Sequence, residues 1–172
     1  MSDDGLKLCK VAVLAGEARR VSLAVPLNRL ERIAPQLIRH DGVVTGTVAL
    51  AMEKGRIVAE VELAATLELR CQRCLQPMTL LVESQSQVAL VGSEEEAADV
   101  PPELETALAP DGRMRLADLI EEELLLALPA APRHPRGCPD GQVEREAESF
   151  AETVQRPFAD LGALLKPGRS KQ

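Results

Sequence analysis

The chain has 172 residues, a formal net charge of −7, two phenylalanines and neither tryptophan nor tyrosine. That length suits one domain of ordinary size with tails. The missing rings remove the platforms on which unpaired bases stack, and the acidic balance leaves room only for a local basic patch as a phosphate contact.

The N-terminal stretch MSDDG is acidic where a secretory leader would be basic. No apolar run approaches the roughly 20 residues of a membrane helix, so a cytoplasmic location is expected. In that compartment the four cysteines are expected as thiols or metal ligands rather than disulfides. Cys9 is expected on a frayed end.

Residues 21–25 (VSLAV) read as a short strand. In PLNRLERIAPQLIR, Leu27, Leu30, Ile33, Leu37 and Ile38 recur at helical spacing. Pro26 suits a first helical position, and Pro35 predicts a break near Ala34. From Val43 the period becomes two, with Val44, Gly46, Val48, Leu50 and Met52 on one face. EKGR offers a glycine-containing hairpin turn. In the next strand Ile57, Ala59, Val61, Leu63, Ala65, Leu67 and Leu69 alternate with Arg56, Glu60, Glu62, Glu68 and Arg70. Met78, Leu80, Val82, Val88 and Leu90 alternate again, completing an antiparallel meander with one wet face.

Residues 92–103 (GSEEEAADVPPE) read as a solvated acidic linker. ELETALAPDGRMRL suggests a second hairpin around Asp111-Gly112. Leu116, Leu119, Ile120, Leu124, Ala127 and Leu128 then form a helical stripe that Pro129 ends. On that helix Glu121-Glu122-Glu123 is expected as a wet face, with a docking edge for a basic partner as the other reading. Residues 139–156 are polar, rich in glutamate and weakly patterned, which predicts a flexible linker. Residues 157–172 carry an apolar motif, with Phe158 and Leu161 as candidate contact residues, and a basic tail. The fold class is α+β: an antiparallel meander sheet with one or two packed helices in a single domain over 1–138, followed by a flexible C-terminal tail.

The chemistry concentrates in the cysteines. Cys71 and Cys74 form a Cys-x-x-Cys pair, and RHPRGC supplies His134 and Cys138. Two short-spaced pairs of soft donors suit a structural zinc site. The other reading makes Cys71 a core residue, Cys74 a loop thiol and His134 an exposed imidazole. A redox pair would be expected before a helix, whereas LQP and a strand follow here. If the two blocks meet, Arg70, Arg73, Arg133 and Arg136 form one basic patch, the candidate phosphate contact; solvated arginines paired with nearby glutamates are the alternative. With His40 and His134 as the only histidines, general acid–base material is scarce, and no phosphate-cradling glycine loop is present.

LELRCQRCLQPM, IEEELLLALPAAPRHPRGC and RPFADLGALLK together resemble the three signature blocks of the bacterial YceD family, the large ribosomal RNA subunit accumulation proteins. Cys71, Arg73, Cys74, Pro77, Glu121, Glu123, Pro129, His134, Cys138, Pro157 and Phe158 match its motif positions. Arg156 stands where the family has a small polar residue. The resemblance implies a non-enzymatic role in synthesis, processing or stability of 23S ribosomal RNA. The expected partner is ribosomal RNA, a large-subunit ribosomal protein or an assembly factor; no membrane and no small-molecule substrate are expected. An RNA-processing enzyme is the alternative, and a Cys-x-x-Cys redox protein the third reading.

Overall fold

The computed structural model describes residues 6–138. Cα packing groups Met1–Pro135 into one compact unit and Arg136–Gln172 into a second. The expected linker at 139–156 and the tail at 157–172, with Phe158 and Leu161, lie outside the described residues.

In chain order the elements are β1 (Leu8–Lys10), α1 (Val11–Gly16), β2 (Arg20–Pro26), β3 (Val43–Glu53), β4 (Arg56–Arg70), β5 (Pro77–Val91), α2 (Glu94–Ala98), β6 (Glu105–Leu108), β7 (Arg113–Arg115) and α3 (Leu116–Ala127). The main sheet runs β2-β3-β4-β5-β6, and β1 pairs with β7 in a separate two-stranded ladder. Strands β2 to β5 form the expected antiparallel meander. The α+β class holds.

Period-two patterning sets the inner face. Ala59, Val61, Leu63, Ala65, Leu67 and Leu69 of β4 are all buried, while Glu62 and Arg70 on the opposite face are exposed. The β3–β4 turn places Lys54 at φ 49° and Gly55 at φ 83°. Two successive left-handed residues match the right-handed twist of a hairpin, and glycine accepts that conformation freely. Helix α3 lays Leu116, Ala117, Leu119, Ile120 and Leu124 into the core. It crosses β3 at Gly46, where a Cβ would stand 2.7 Å from Ile120 Cδ1 and 2.9 Å from the Glu62 carbonyl oxygen. Glycine is required there by the close approach of helix and sheet.

Several expectations are corrected. No α-helix forms over 26–38; there are 3-10 turns at Leu27–Arg29 and Ala34–Gln36. Leu27, Leu30, Ile33 and Leu37 are buried as the pattern requires, but Ile38 and Met52 are exposed. Leu30 is extended, and the backbone N–H groups of Arg32 and Ile33 donate to the Glu121 carboxylate at 2.7 and 3.1 Å. Helical bonds to carbonyls four residues back are thereby replaced.

Residues 92–103 are not simply a solvated linker, because α2 lies within them. Ser93 caps it, accepting from the Glu96 N–H, while Glu96 accepts from the Gly92 N–H at 2.7 Å, a reciprocal arrangement close to a capping box. Val100 packs with Ala89 and Val91, covering the otherwise outer face at the end of β5.

Asp111-Gly112 does not close a hairpin. Strand β6 runs parallel to β5, from Val88↔Glu105 to Val91↔Leu108, and β7 pairs with β1. That pairing also removes Cys9 from any frayed end: it sits opposite Met114, and its thiol donates to the Met114 carbonyl at 3.0 Å.

Finally, the acidic turn of α3 is not a wet face. Glu121 is 5% and Glu123 4% exposed. Only Glu122 reaches outward, pairing with Arg32 at 3.8 Å. Burial raises the Glu123 pKa, against the Ser86 hydroxyl that donates to its carboxylate; Glu105 and Glu122 add to the rise. The sign follows from linkage. The folded carboxyl protonates at higher pH than the unfolded one, so its ionisation lowers stability as pH rises through that range. Glu123→Gln keeps an acceptor for Ser86 and removes the charge. Urea midpoints of variant and wild type are expected to coincide near pH ~4 and to favour the variant at neutral pH; an equal difference at both would show that the charge is not responsible.

Candidate metal centre

Strands β4 and β5 are joined by residues 71–76, which fold into a tight knuckle. The Cys71 N–H donates to the Gln76 carbonyl at 3.0 Å, and the Leu75 N–H to the Cys71 carbonyl at 2.9 Å, with Leu75 left-handed at φ 61°. Cys71 continues the inward parity of Leu67 and Leu69 and is fully buried. Cys74 sits on the turn, half-buried.

The second half of the site comes from the chain beyond α3. Pro129 lies just past the helix end, and the Pro132 carbonyl accepts from the Gln72 N–H at 2.8 Å. This bond holds the following residues against the knuckle. His134 places Nδ1 3.5 Å from Cys74 Sγ and Nε2 3.2 Å from the Pro77 carbonyl oxygen. A carbonyl only accepts, so Nε2–H is the donor to Pro77, which leaves Nδ1 as the ring nitrogen that faces Cys74 and would bind a metal. Fixing the ligating tautomer through the other ring nitrogen is the usual outer support of a histidine ligand. The ligand atoms of Cys71, Cys74, His134 and Cys138 all lie within 4.8 Å of one another. Cys138 follows His134 by four residues along the same segment and is half-buried.

These donors fit zinc. At Zn–S distances of about 2.3 Å, two sulfurs on a tetrahedral ion stand about 3.8 Å apart, so small shifts bring this set to bonding geometry. Three thiols and one imidazole make a closed structural donor set. The electrostatics agree. Burial pushes the Cys71 thiol up, but backbone N–H groups of Cys74, Arg73 and His134, together with the Cys74 thiol, outweigh it and hold Cys71 down to about 5. The Arg73 N–H lies 3.4 Å from Cys71 Sγ. A sulfur so surrounded is prepared for negative charge, the state in which thiols bind metals. None of the four cysteines is in a disulfide.

The candidate arginines flank this centre in sequence. Arg70 ends β4, Arg73 lies within the knuckle, and Arg133 precedes His134; all three are exposed, as is Arg136. Two supports left no mark in the sequence: the Pro77 and Pro132 carbonyls. Every residue offers such an oxygen, so only the fold identifies them.

The chain matches the model of a family described as large ribosomal RNA subunit accumulation protein YceD over residues 59–165. A protein of Haemophilus influenzae named large ribosomal RNA subunit accumulation protein YceD is 30% identical over 110 residues, which cover 62% of this chain and 63% of that relative. No solved structure matches. The matched interval contains β4 from Ala59 onward, the knuckle, β5, α3 and all four candidate metal ligands.

Proposed function

The chain belongs to the YceD family, and from that premise we propose that it is a non-enzymatic accessory factor in synthesis, processing or stability of 23S ribosomal RNA, and so in large-subunit biogenesis. The observation that carries this reading is the family match over residues 59–165. In this role a zinc ion on Cys71, Cys74, His134 and Cys138 is structural: it ties the β4–β5 connection to the segment after α3. Arg70, Arg73, Arg133 and Arg136 supply the basic contacts, and the partner is ribosomal RNA, a large-subunit ribosomal protein or an assembly factor. The setting is cytoplasmic, in keeping with the absence, among the described residues, of any helix long and apolar enough to cross a membrane.

The donor arrangement argues against the enzymatic alternatives. An RNA-processing enzyme needs available acid and base groups. Here Glu121 accepts from the Arg32 and Ile33 N–H groups and Glu123 from Ser86, both largely buried, while His134 belongs to the sulfur cluster. A reactive Cys-x-x-Cys pair opens a helix, whereas Cys71 and Cys74 lie between two strands and Cys71 is fully buried.

Depleting the protein is expected to lower the ratio of 23S to 16S ribosomal RNA, and re-expression to restore it. An unchanged ratio, with depletion verified by immunoblot, would overturn the proposal.

A further inference from the structure

Beside the knuckle lies a cleft of about 510 Å³, between the Pro35–Ile38 segment, the end of β4 and Pro132. Its lining includes the apolar residues Pro35, Ile38 and Pro132, with Ile38 exposed, and the polar residues Gln36, Gln72 and Arg70, all three exposed. The chain has 27 aspartates and glutamates, yet no carboxylate residue lines this cleft. Arg70 makes no ion pair among the described residues, unlike Arg39, which is held by Asp41 and Glu68. The walls are fixed before any ligand arrives. Leu37 bridges to Leu69, the Ile38 N–H donates to the Glu68 carbonyl at 2.8 Å, and the Gln72 N–H to Pro132.

We propose that this cleft holds one unpaired nucleotide of single-stranded RNA, with the base against the apolar walls and a phosphate on Arg70. Side-chain amides offer both donors and acceptors, which is what a base edge presents in return. Aliphatic and proline surfaces take the faces of an extruded base where aromatic rings are lacking. The size lies within the ordinary range of small-ligand sites. The inference deepens the proposed function, on which it rests for the choice of nucleic acid.

The test uses the full chain with fluorescein-labelled penta-adenylate and penta-uridylate, compared with a blunt RNA duplex and hexaglutamate. The pentamers are expected to bind, with log affinity falling against log salt at a slope of about −0.7 for the one phosphate held on Arg70. Arg70→Glu is expected to weaken them at least tenfold. Gln36→Ala with Gln72→Ala is expected to weaken them at least threefold with the thermal midpoint unchanged. Equal binding of the duplex or hexaglutamate, or no effect of Arg70→Glu, would overturn the cleft assignment. Pentamers that fail to bind while depletion still lowers 23S ribosomal RNA overturn the cleft and leave the function standing. Pentamers that bind while depletion leaves 23S unchanged do the reverse.

Discussion

Replacing Cys74 by Ser is expected to remove bound zinc and a large share of the stability of the first unit. The Cys74 sulfur faces His134 Nδ1 across 3.5 Å and is part of the four-ligand group. A ligand bound only by the folded state contributes about 4 kcal/mol when its concentration exceeds the dissociation constant a thousandfold. A loss of that order, read as a lower urea midpoint, is the expected cost. The control lies in the metal itself. A chelator should lower the wild-type midpoint to that of Cys74→Ser and leave the variant unmoved. If the chelator moves both equally, or neither, the cost of the substitution belongs to packing.

The second large effect is expected at Glu121. Its buried carboxylate holds the N–H groups of Arg32 and Ile33, and Ile33 is itself fully buried. Glu121→Ala leaves these donors without an acceptor; at about 1–3 kcal/mol for each stranded buried donor the expected cost is about 2–6 kcal/mol, toward the lower end because the Arg32 N–H is only part-buried. Glu121→Gln retains a carbonyl oxygen at the same reach and should cost about 1 kcal/mol, roughly the strength lost when a charged acceptor becomes neutral. Chemical denaturation of both variants checks the order. Equal losses would mean that side-chain volume, and not hydrogen bonding, is what Glu121 supplies.

Glu121 also marks where sequence reasoning stopped. A run of three glutamates on a helix gives a local signal of exposure, and nothing in its neighbours announces that the run from Arg32 to Ile33 arrives with unpaired donors. The same donors explain the lost helix over 26–38: helical spacing of Leu27, Leu30, Ile33 and Leu37 correctly identified the buried side chains but not the backbone that carries them. Strands β3 to β5 were legible apart from the exposed Met52, because alternation and a Lys54-Gly55 turn act between neighbours in sequence. The parallel β5–β6 pairing and the β1–β7 ladder join distant segments, and short strands of three or four residues carry too few alternating positions to declare a partner.

The metal centre was legible in a different way. Cysteine and histidine in short-spaced pairs identify four donors, while the interval between Cys74 and His134 conceals how they meet. What closes that interval is α3, which returns the chain across the sheet, together with the bond from Gln72 to Pro132. The supporting carbonyl of Pro77 selects the histidine nitrogen that faces the sulfurs. Once these backbone atoms are known, the Cys71–Cys74 and His134–Cys138 blocks become two halves of one candidate centre.

X-ray absorption at the zinc edge tests that centre most directly, on protein purified under reducing conditions without chelator, alongside elemental analysis. One zinc per chain is expected, with three sulfur neighbours at about 2.3 Å and one nitrogen at about 2.0 Å. Protein of the same preparation that is fully reduced, folded and free of stoichiometric metal, or zinc surrounded by oxygen and nitrogen alone, would contradict a site built from Cys71, Cys74, His134 and Cys138.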